Sequence, residues 1–193
     1  MFVIYFSGMK IAILGGRFDP PHLGHLKIAE EVLINRSDID KLLFIPVYKH
    51  PWTRVIASSK DRIAMLRSIL SDKTDVSDIE IKNKTVRTID SLKILKKELD
   101  ADLYWIVGSD ILQELHRWKN PEKLTHFATF LVFPRPGFPM PSKLPSGFEK
   151  IETPSMVDIS STKIRSLLKN KKPIKGLVPR EVEEYIIEHK LYE

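Results

Sequence analysis

The sequence predicts an α/β fold, a doubly wound and mostly parallel sheet with helices on both faces, and three observations predict it. Short apolar, β-rich runs alternate along the chain with segments whose apolar residues recur every three or four positions. Those runs are largely uninterrupted by polar residues, the pattern of strands covered on both sides. The chain has 193 residues, 42% hydrophobic and 29% charged, which suits one core and is short for two ordinary domains. Residues 1–193 are therefore expected to form a single domain.

Lys10–Leu14 opens the series as a buried strand ending in Gly15-Gly16, followed by Leu26, Ala29, Val32 and Leu33 at helical spacing. Leu42–Val47 is a second strand, closed by Pro46 and Pro51. Ser58-Ser59 supplies N-caps for a helix carrying Ile63, Leu66, Ile69 and Leu70. Val76–Ile81 is predicted as a strand, and Ile89, Leu92 and Leu95 mark the next helix. Leu103–Val107 and Phe127–Phe133 are strands, stopped by Gly108 and by Pro134-Arg135-Pro136-Gly137. Val157–Ile159 reads as a short strand before a helix from about Ser160 to Leu168. Pro179 opens a final helix with Val182, Tyr185 and Ile186 on one face. Met1–Phe6 is apolar but lacks a basic flank and a cleavage site, so residues 1–8 read as an upstream start or an N-terminal extension.

Composition narrows the function classes. No apolar run approaches the roughly 20 residues that a membrane-spanning helix needs. Cysteine is absent, which removes disulfides, thiol nucleophiles and thiolate metal sites together. These features fit a cytoplasmic chain. Lys and Arg total 31 against 25 Asp and Glu, a formal charge of +6, which favours anionic partners. Lys163, Arg165, Lys169, Lys171, Lys172 and Lys175 follow one another with no acidic residue among them. Scattered aromatics without a recognisable binding motif argue against a nucleic-acid module. Self-association is left open.

In a doubly wound sheet, ligands bind beyond the carboxyl ends of the strands, where strand order reverses. The residues following Leu14, Pro46, Val107, Phe133 and Ile159 should share that rim. Gly15-Gly16-Arg17-Phe18-Asp19-Pro20-Pro21-His22-Leu23-Gly24-His25 is the richest of these segments. Two glycines after a buried strand allow a sharp turn and close approach of a ligand. Asp19-Pro20-Pro21 predicts a helix start whose free N–H groups suit phosphate. His22 and His25, three apart, face one way on the first turn and could donate to phosphate oxygens. Half a zinc site is the competing reading, but no neighbouring residue completes a ligand set, so no metal site is expected on the protein. Ile159-Ser160-Ser161-Thr162-Lys163-Ile164-Arg165 sets three hydroxyls and a guanidinium at a helix start, where caps alone or a triphosphate grip are the alternatives.

The first segment resembles the nucleotidyltransferase signature G-x-F-D-P-x-H-x-G-H at every fixed position, and the second is similar to the I-S-S-T-x-x-R motif of the same superfamily. With Ile106-Val107-Gly108-Ser109-Asp110, Trp118, the Arg135-Pro136-Gly137 turn and Leu177-Val178-Pro179, the chain resembles bacterial nicotinate-nucleotide adenylyltransferases over nearly its full length. The resemblance implies a Rossmann-like fold. It also implies transfer of AMP from ATP to nicotinate mononucleotide, giving deamido-NAD and pyrophosphate, with Mg²⁺ carried mainly on the ATP phosphates. His22, His25 and Arg165 are the implied catalytic residues. Gly15, Gly16, Phe18, Gly24, Gly108, Asp110, Ile159, Ser160 and Ser161 are implied to hold ATP. Lys49, His50, Thr88, Trp118 and Arg135 are implied to hold the mononucleotide, with Trp118 stacking on its pyridine ring. Core packing is the alternative for Trp118, a surface ion pair for Arg135, and Arg54 competes with Lys49 and His50.

Two departures bear on the acceptor. Arg17 stands where the family usually has threonine, and Val86-Arg87-Thr88 replaces the usual S-Y-T. They leave nicotinamide mononucleotide as an alternative acceptor; phosphopantetheine is a further alternative within the superfamily, against which Pro21-His22, Trp118 and the Arg135-Pro136-Gly137 turn argue.

Overall fold

The computed structural model describes residues 7–50, 53–152 and 159–192. Six strands form one sheet: β1 (Lys10–Gly16), β2 (Lys41–Pro46), β3 (Thr74–Val76), β4 (Asp102–Gly108), β5 (Thr129–Phe133) and β6 (Phe148–Lys150). Their order is β3-β2-β1-β4-β5-β6, and every pairing is parallel. The direction of winding reverses between β1 and β4, where Ile13 lies beside Trp105. Among the described residues, seven α-helices connect or flank the strands: α1 (Leu23–Asn35), α2 (Ser59–Arg67), α3 (Ile79–Asn83), α4 (Thr88–Glu98), α5 (Asp110–Glu114), α6 (Ser161–Lys169) and α7 (Arg180–Glu188).

The period-two geometry of a strand explains why the apolar runs are continuous. Ile11, Ile13, Leu43, Ile45, Trp105, Val107, Phe130 and Val132 pack on one face against Ile89, Leu92 and Leu95 of α4. Their neighbours Ala12, Leu14, Leu42, Phe44, Ile106, Leu131 and Phe133 pack on the other against Ala29 and Val32 of α1 and Leu66 of α2. Each fully covered Leu, Ile or Phe contributes about 1.5–3 kcal/mol. A third apolar cluster joins Met65 of α2, Ile164 of α6, and Val182 and Ile186 of α7. It anchors the C-terminal helices beside the rim.

Several boundaries differ from the sequence expectation. The run Val76–Ile81 is split: β3 ends at Val76, and Ile79 and Ile81 belong to the short helix α3. The edge strand β6 was not expected, its three residues being too few to carry a pattern. Phe127 and Ala128 precede β5 rather than belonging to it. Pro20 and Pro21 lie ahead of α1, not in its first turn, because His22 is the N-cap residue. Gly15 and Gly16 remain within β1, and the left-handed turn falls on Phe18, at φ +48°. In the predicted strand Val157–Ile159, Val157 and Asp158 lie outside the described residues, as do Met1–Phe6 and Pro51-Trp52.

Candidate active site

A cleft of about 830 Å³ opens at the carboxyl ends of β1 and β4. It falls within the size range of small-molecule sites, and it sits where the winding reverses. Its walls include Gly15, Gly16, Phe18, His22, Gly24, His25, Lys49, His50, Thr88, Gly108, Asp110, Trp118, Arg135, Ile159, Ser160 and Ser161. All but one of the expected site residues therefore share one cavity. The exception is Arg165, whose guanidinium donates to the Asp19 carbonyl at 2.6 Å, behind the wall. Arg54 lines a separate depression and not this cleft.

The glycines serve proximity rather than turning. A Cβ on Gly15 would stand 3.0 Å from the Trp105 ring, and one on Gly16 would stand 3.0 Å from the Phe18 ring. At Gly24 it would meet His22 Nδ1 at 3.0 Å, and at Gly108 it would run into Asp110 and Arg135. Side chains at these positions would displace the groups that shape the cleft.

The two imidazoles meet as expected. Their rings stack with centroids 3.7 Å apart, and Phe18 packs edge-on against His25 at 4.8 Å. The His22 amide donates to His25 Nδ1 at 3.2 Å, so a neutral His25 carries its proton on Nε2. Burial, followed by the charge of Arg135, lowers the His22 pKa to about 4. Burial and the neighbouring His22 also push His25 well below its ordinary value. Both rings are thus neutral near pH 7. His22 Nδ1 is buried with no partner among the described residues. The helix start is less open than expected, because the Leu23 amide is already bound to the Leu177 carbonyl at 3.0 Å.

The two distant motifs are joined directly. Ser160 caps α6, accepting from the Lys163 amide at 3.3 Å. The buried Ser161 hydroxyl donates to the Pro20 carbonyl at 2.9 Å, and with Arg165 it ties α6 to the segment after β1. Lys163 and the following lysines 169, 171, 172 and 175 are exposed.

Arg135 does form the ion pair offered as its alternative, with Asp110 at 2.7 Å. The second oxygen of Asp110 is buried without a partner among the described residues. Trp118 is half-buried against the core and lines the cleft. Lys119 beside it bonds Asp90 of α4 at 3.1 Å. Thr88 is the first residue of α4, and exposed Arg87 is its N-cap residue. Lys49 is exposed and lies 5.3 Å from the centre of the Tyr48 ring. His50 is half-buried, its pKa lowered by burial and by Arg17.

Asp19, Arg62 and Glu80 are among the buried charged residues that sequence reasoning missed. Asp19 is wholly buried and accepts from the Ile56 and Ala57 amides at 2.8 and 2.9 Å. Arg62, 1% exposed, donates to the carbonyls of Arg17 and Val47, each at 2.9 Å. Glu80 accepts from the Ser91 hydroxyl at 2.7 Å. Asp19 sits inside the recognised motif, but Arg62 and Glu80 stand in helices where charged residues ordinarily face water, and nothing in their spacing marks them as buried.

Among the described residues, no group of three or more His, Asp or Glu side chains is placed to hold a metal ion. Each carboxylate lining the cleft is already engaged: Glu31 by Lys27, Glu80 by Ser91, Asp110 by Arg135 and Glu114 by Arg117. No helix among the described residues is long and apolar enough to cross a membrane.

Comparison with known proteins gives this geometry a family. Residues 13–167 match the family model described as cytidylyltransferase-like. A probable nicotinate-nucleotide adenylyltransferase from Halalkalibacterium halodurans is 38% identical over 190 residues, covering 95% of this chain and 91% of that protein. Its counterpart from Bacillus licheniformis is 35% identical over 190 residues, covering 95% and 98%. The Plasmodium falciparum nicotinic acid mononucleotide adenylyltransferase, solved in complex with NaAD, superposes with a TM-score of 0.79 at 23% identity, covering 95% of this chain and 97% of that one. That likeness speaks for the fold. On the identity and coverage of the first two relatives, the chain belongs to the nicotinate-nucleotide adenylyltransferase family.

Proposed function

We propose that the protein transfers AMP from ATP to nicotinate mononucleotide, giving deamido-NAD and pyrophosphate, the activity named for its relatives. The observation that carries this reading is the junction of two motifs far apart in sequence, Ser161 to Pro20 and Arg165 to Asp19, beside the stacked imidazoles.

In this reading an oxygen of the mononucleotide phosphate attacks the α-phosphorus of ATP in line. The new P–O–P bond forms as the bond from the α-phosphorus to the bridging oxygen breaks, and pyrophosphate leaves. A phosphate monoester is already anionic near neutral pH, so no protein base is required, and catalysis reduces to positioning and stabilisation of charge. His22 and His25, being neutral, act as hydrogen-bond donors to the α-phosphate and its neighbours. Ser160 and the α6 start, with Arg165 behind them, stabilise the departing pyrophosphate. Gly15, Gly16, Phe18, Gly24 and Ile159 shape the ATP side, and Gly108 with the unpaired Asp110 oxygen suits the adenosine ribose. Thr88 and Trp118 hold the pyridine ring, while Lys49, His50 and Arg135 take the mononucleotide phosphate. Mg²⁺, a hard cation, would be held by phosphate oxygens and water rather than by the engaged carboxylates, and would supply charge neutralisation on the triphosphate.

The test is pyrophosphate release from ATP and Mg²⁺ with nicotinate or nicotinamide mononucleotide as acceptor. Faster release with the nicotinate form is expected; release with neither sinks the reading. His22→Ala is expected to lower kcat by about 10²–10³-fold with a much smaller change in ATP binding.

A further inference from the structure

The chain between β2 and α2 is attached at both ends to residues 16–19, just ahead of the imidazoles. At its near end the Val47 amide donates to the Gly16 carbonyl at 2.9 Å. The Val47 carbonyl accepts from Arg62 Nη2 at 2.9 Å, and Arg62 Nη1 donates to the Arg17 carbonyl at 2.9 Å. At its far end the wholly buried Asp19 takes one amide on each carboxylate oxygen, Ile56 at 2.8 Å and Ala57 at 2.9 Å. Lys49 and His50 lie between these attachments in the chain and line the cleft. Phe18, next to Asp19, packs edge-on against His25 at 4.8 Å. The Asp19 carbonyl separately accepts from Arg165 at 2.6 Å. The side chain of Asp19 thus serves the β2–α2 connection, and its backbone serves α6.

We infer that Asp19 is a positioning residue: by holding the Ile56 and Ala57 amides, its carboxylate fixes the connection that carries Lys49 and His50 against the segment that carries the imidazoles. The inference rests on the proposed reaction and names what sets its mononucleotide half at a fixed distance from its ATP half. Amides in a connection outside any strand ladder need acceptors when they are buried. A buried carboxylate is costly unless well partnered, and a scaffold alone would be served as well by apolar packing. What the carboxylate adds is direction. Two charge-assisted bonds, one to each oxygen, fix the orientation of the Ile56–Ala57 backbone as well as its distance. A phosphate-binding segment tied down at both ends presents its donors at one place, as in-line attack on the α-phosphorus requires.

The tether is tested on the full chain by amide hydrogen exchange and steady-state kinetics. Asp19→Ala should speed exchange of the Ala57 amide by roughly tenfold or more while core amides such as that of Ile13 hold, since it removes a buried acceptor. It should also raise KM for the mononucleotide by roughly tenfold, with KM for ATP changed less than about twofold because the carbonyl that holds Arg165 is kept. Asp19→Asn, which keeps one acceptor oxygen, should fall between Asp19→Ala and wild type in both readouts. Ile56→Pro is the second variant for the case that Asp19→Ala does not fold. It deletes one of the two amide donors at an exposed side chain and leaves residues 16–19 untouched. It should raise the mononucleotide KM alone, by about threefold. Equal rises in the two KM values, or unchanged KM values with only a lower Tm, overturn the positioning role in either variant. Unchanged Ala57 exchange in Asp19→Ala overturns the tether itself. A wild-type protein that releases no pyrophosphate overturns the reaction and the kinetic half of the inference, whereas the exchange data still judge the tether.

Discussion

His22 depends on an absence of atoms next to it. The imidazole lies over Gly24, and a methyl there would press on Nδ1 and Cε1 at 3.0 and 3.1 Å. Gly24→Ala is therefore expected to tilt the ring and lower kcat by about tenfold, with KM for ATP and the melting temperature nearly unchanged, because a small geometric displacement at the reacting centre costs more than it does in binding. Initial-rate kinetics and a thermal melt check both halves. Recognition of the His22–His25 pair from spacing was sound even though the helix begins later than the prolines suggested, since residues three apart converge from the N-cap position as well. Arg62 and Glu80 were illegible for a different reason. Burial of a charge is decided by partners far away in sequence, here carbonyls 45 and 15 positions from Arg62, and no local pattern announces them.

At the scale of elements, α6 does more than present a capped helix end. Its Ser161 hydroxyl is spent on a carbonyl 141 positions away. Ser161→Ala leaves that buried carbonyl short of a donor and should cost about 1–3 kcal/mol in urea unfolding, together with weaker ATP binding. Loss of the cap in Ser160→Ala should cost about 1 kcal/mol. The strands β1, β2, β4 and β5 were legible because burial on both faces leaves an unbroken apolar run. The stretch after β3 was not, because Ile79 and Ile81 favour a strand by propensity while the α3 turn, closed at Lys84 in a left-handed conformation, is imposed by packing of Ile79 under the sheet. The three-residue β6 offers no periodicity to detect.

For the whole molecule, the depressed pKa values of His22 and His25 set a pH dependence whose sign is fixed. The unfolded chain takes up protons near the ordinary histidine pKa of about 6.5, while folded His22 does so only at about 4. Stability is therefore full above pH 6.5 and falls as the pH drops toward 4, by up to about 1.4 kcal/mol per pH unit for each such histidine. Thermal melts of the nucleotide-free protein should show this slope, and His22→Asn should make it shallower; a flat profile would contradict the burial of the pair. The sheet, its winding and the rim were readable from the pattern of runs, whereas the stitching of the rim was not. That stitching has a consequence for biogenesis. Because Arg165 contacts Asp19, 146 positions earlier, this contact cannot form in a ribosome-bound nascent chain until α6 has emerged. If the proposed role of Arg165 holds, full activity is acquired only late in synthesis.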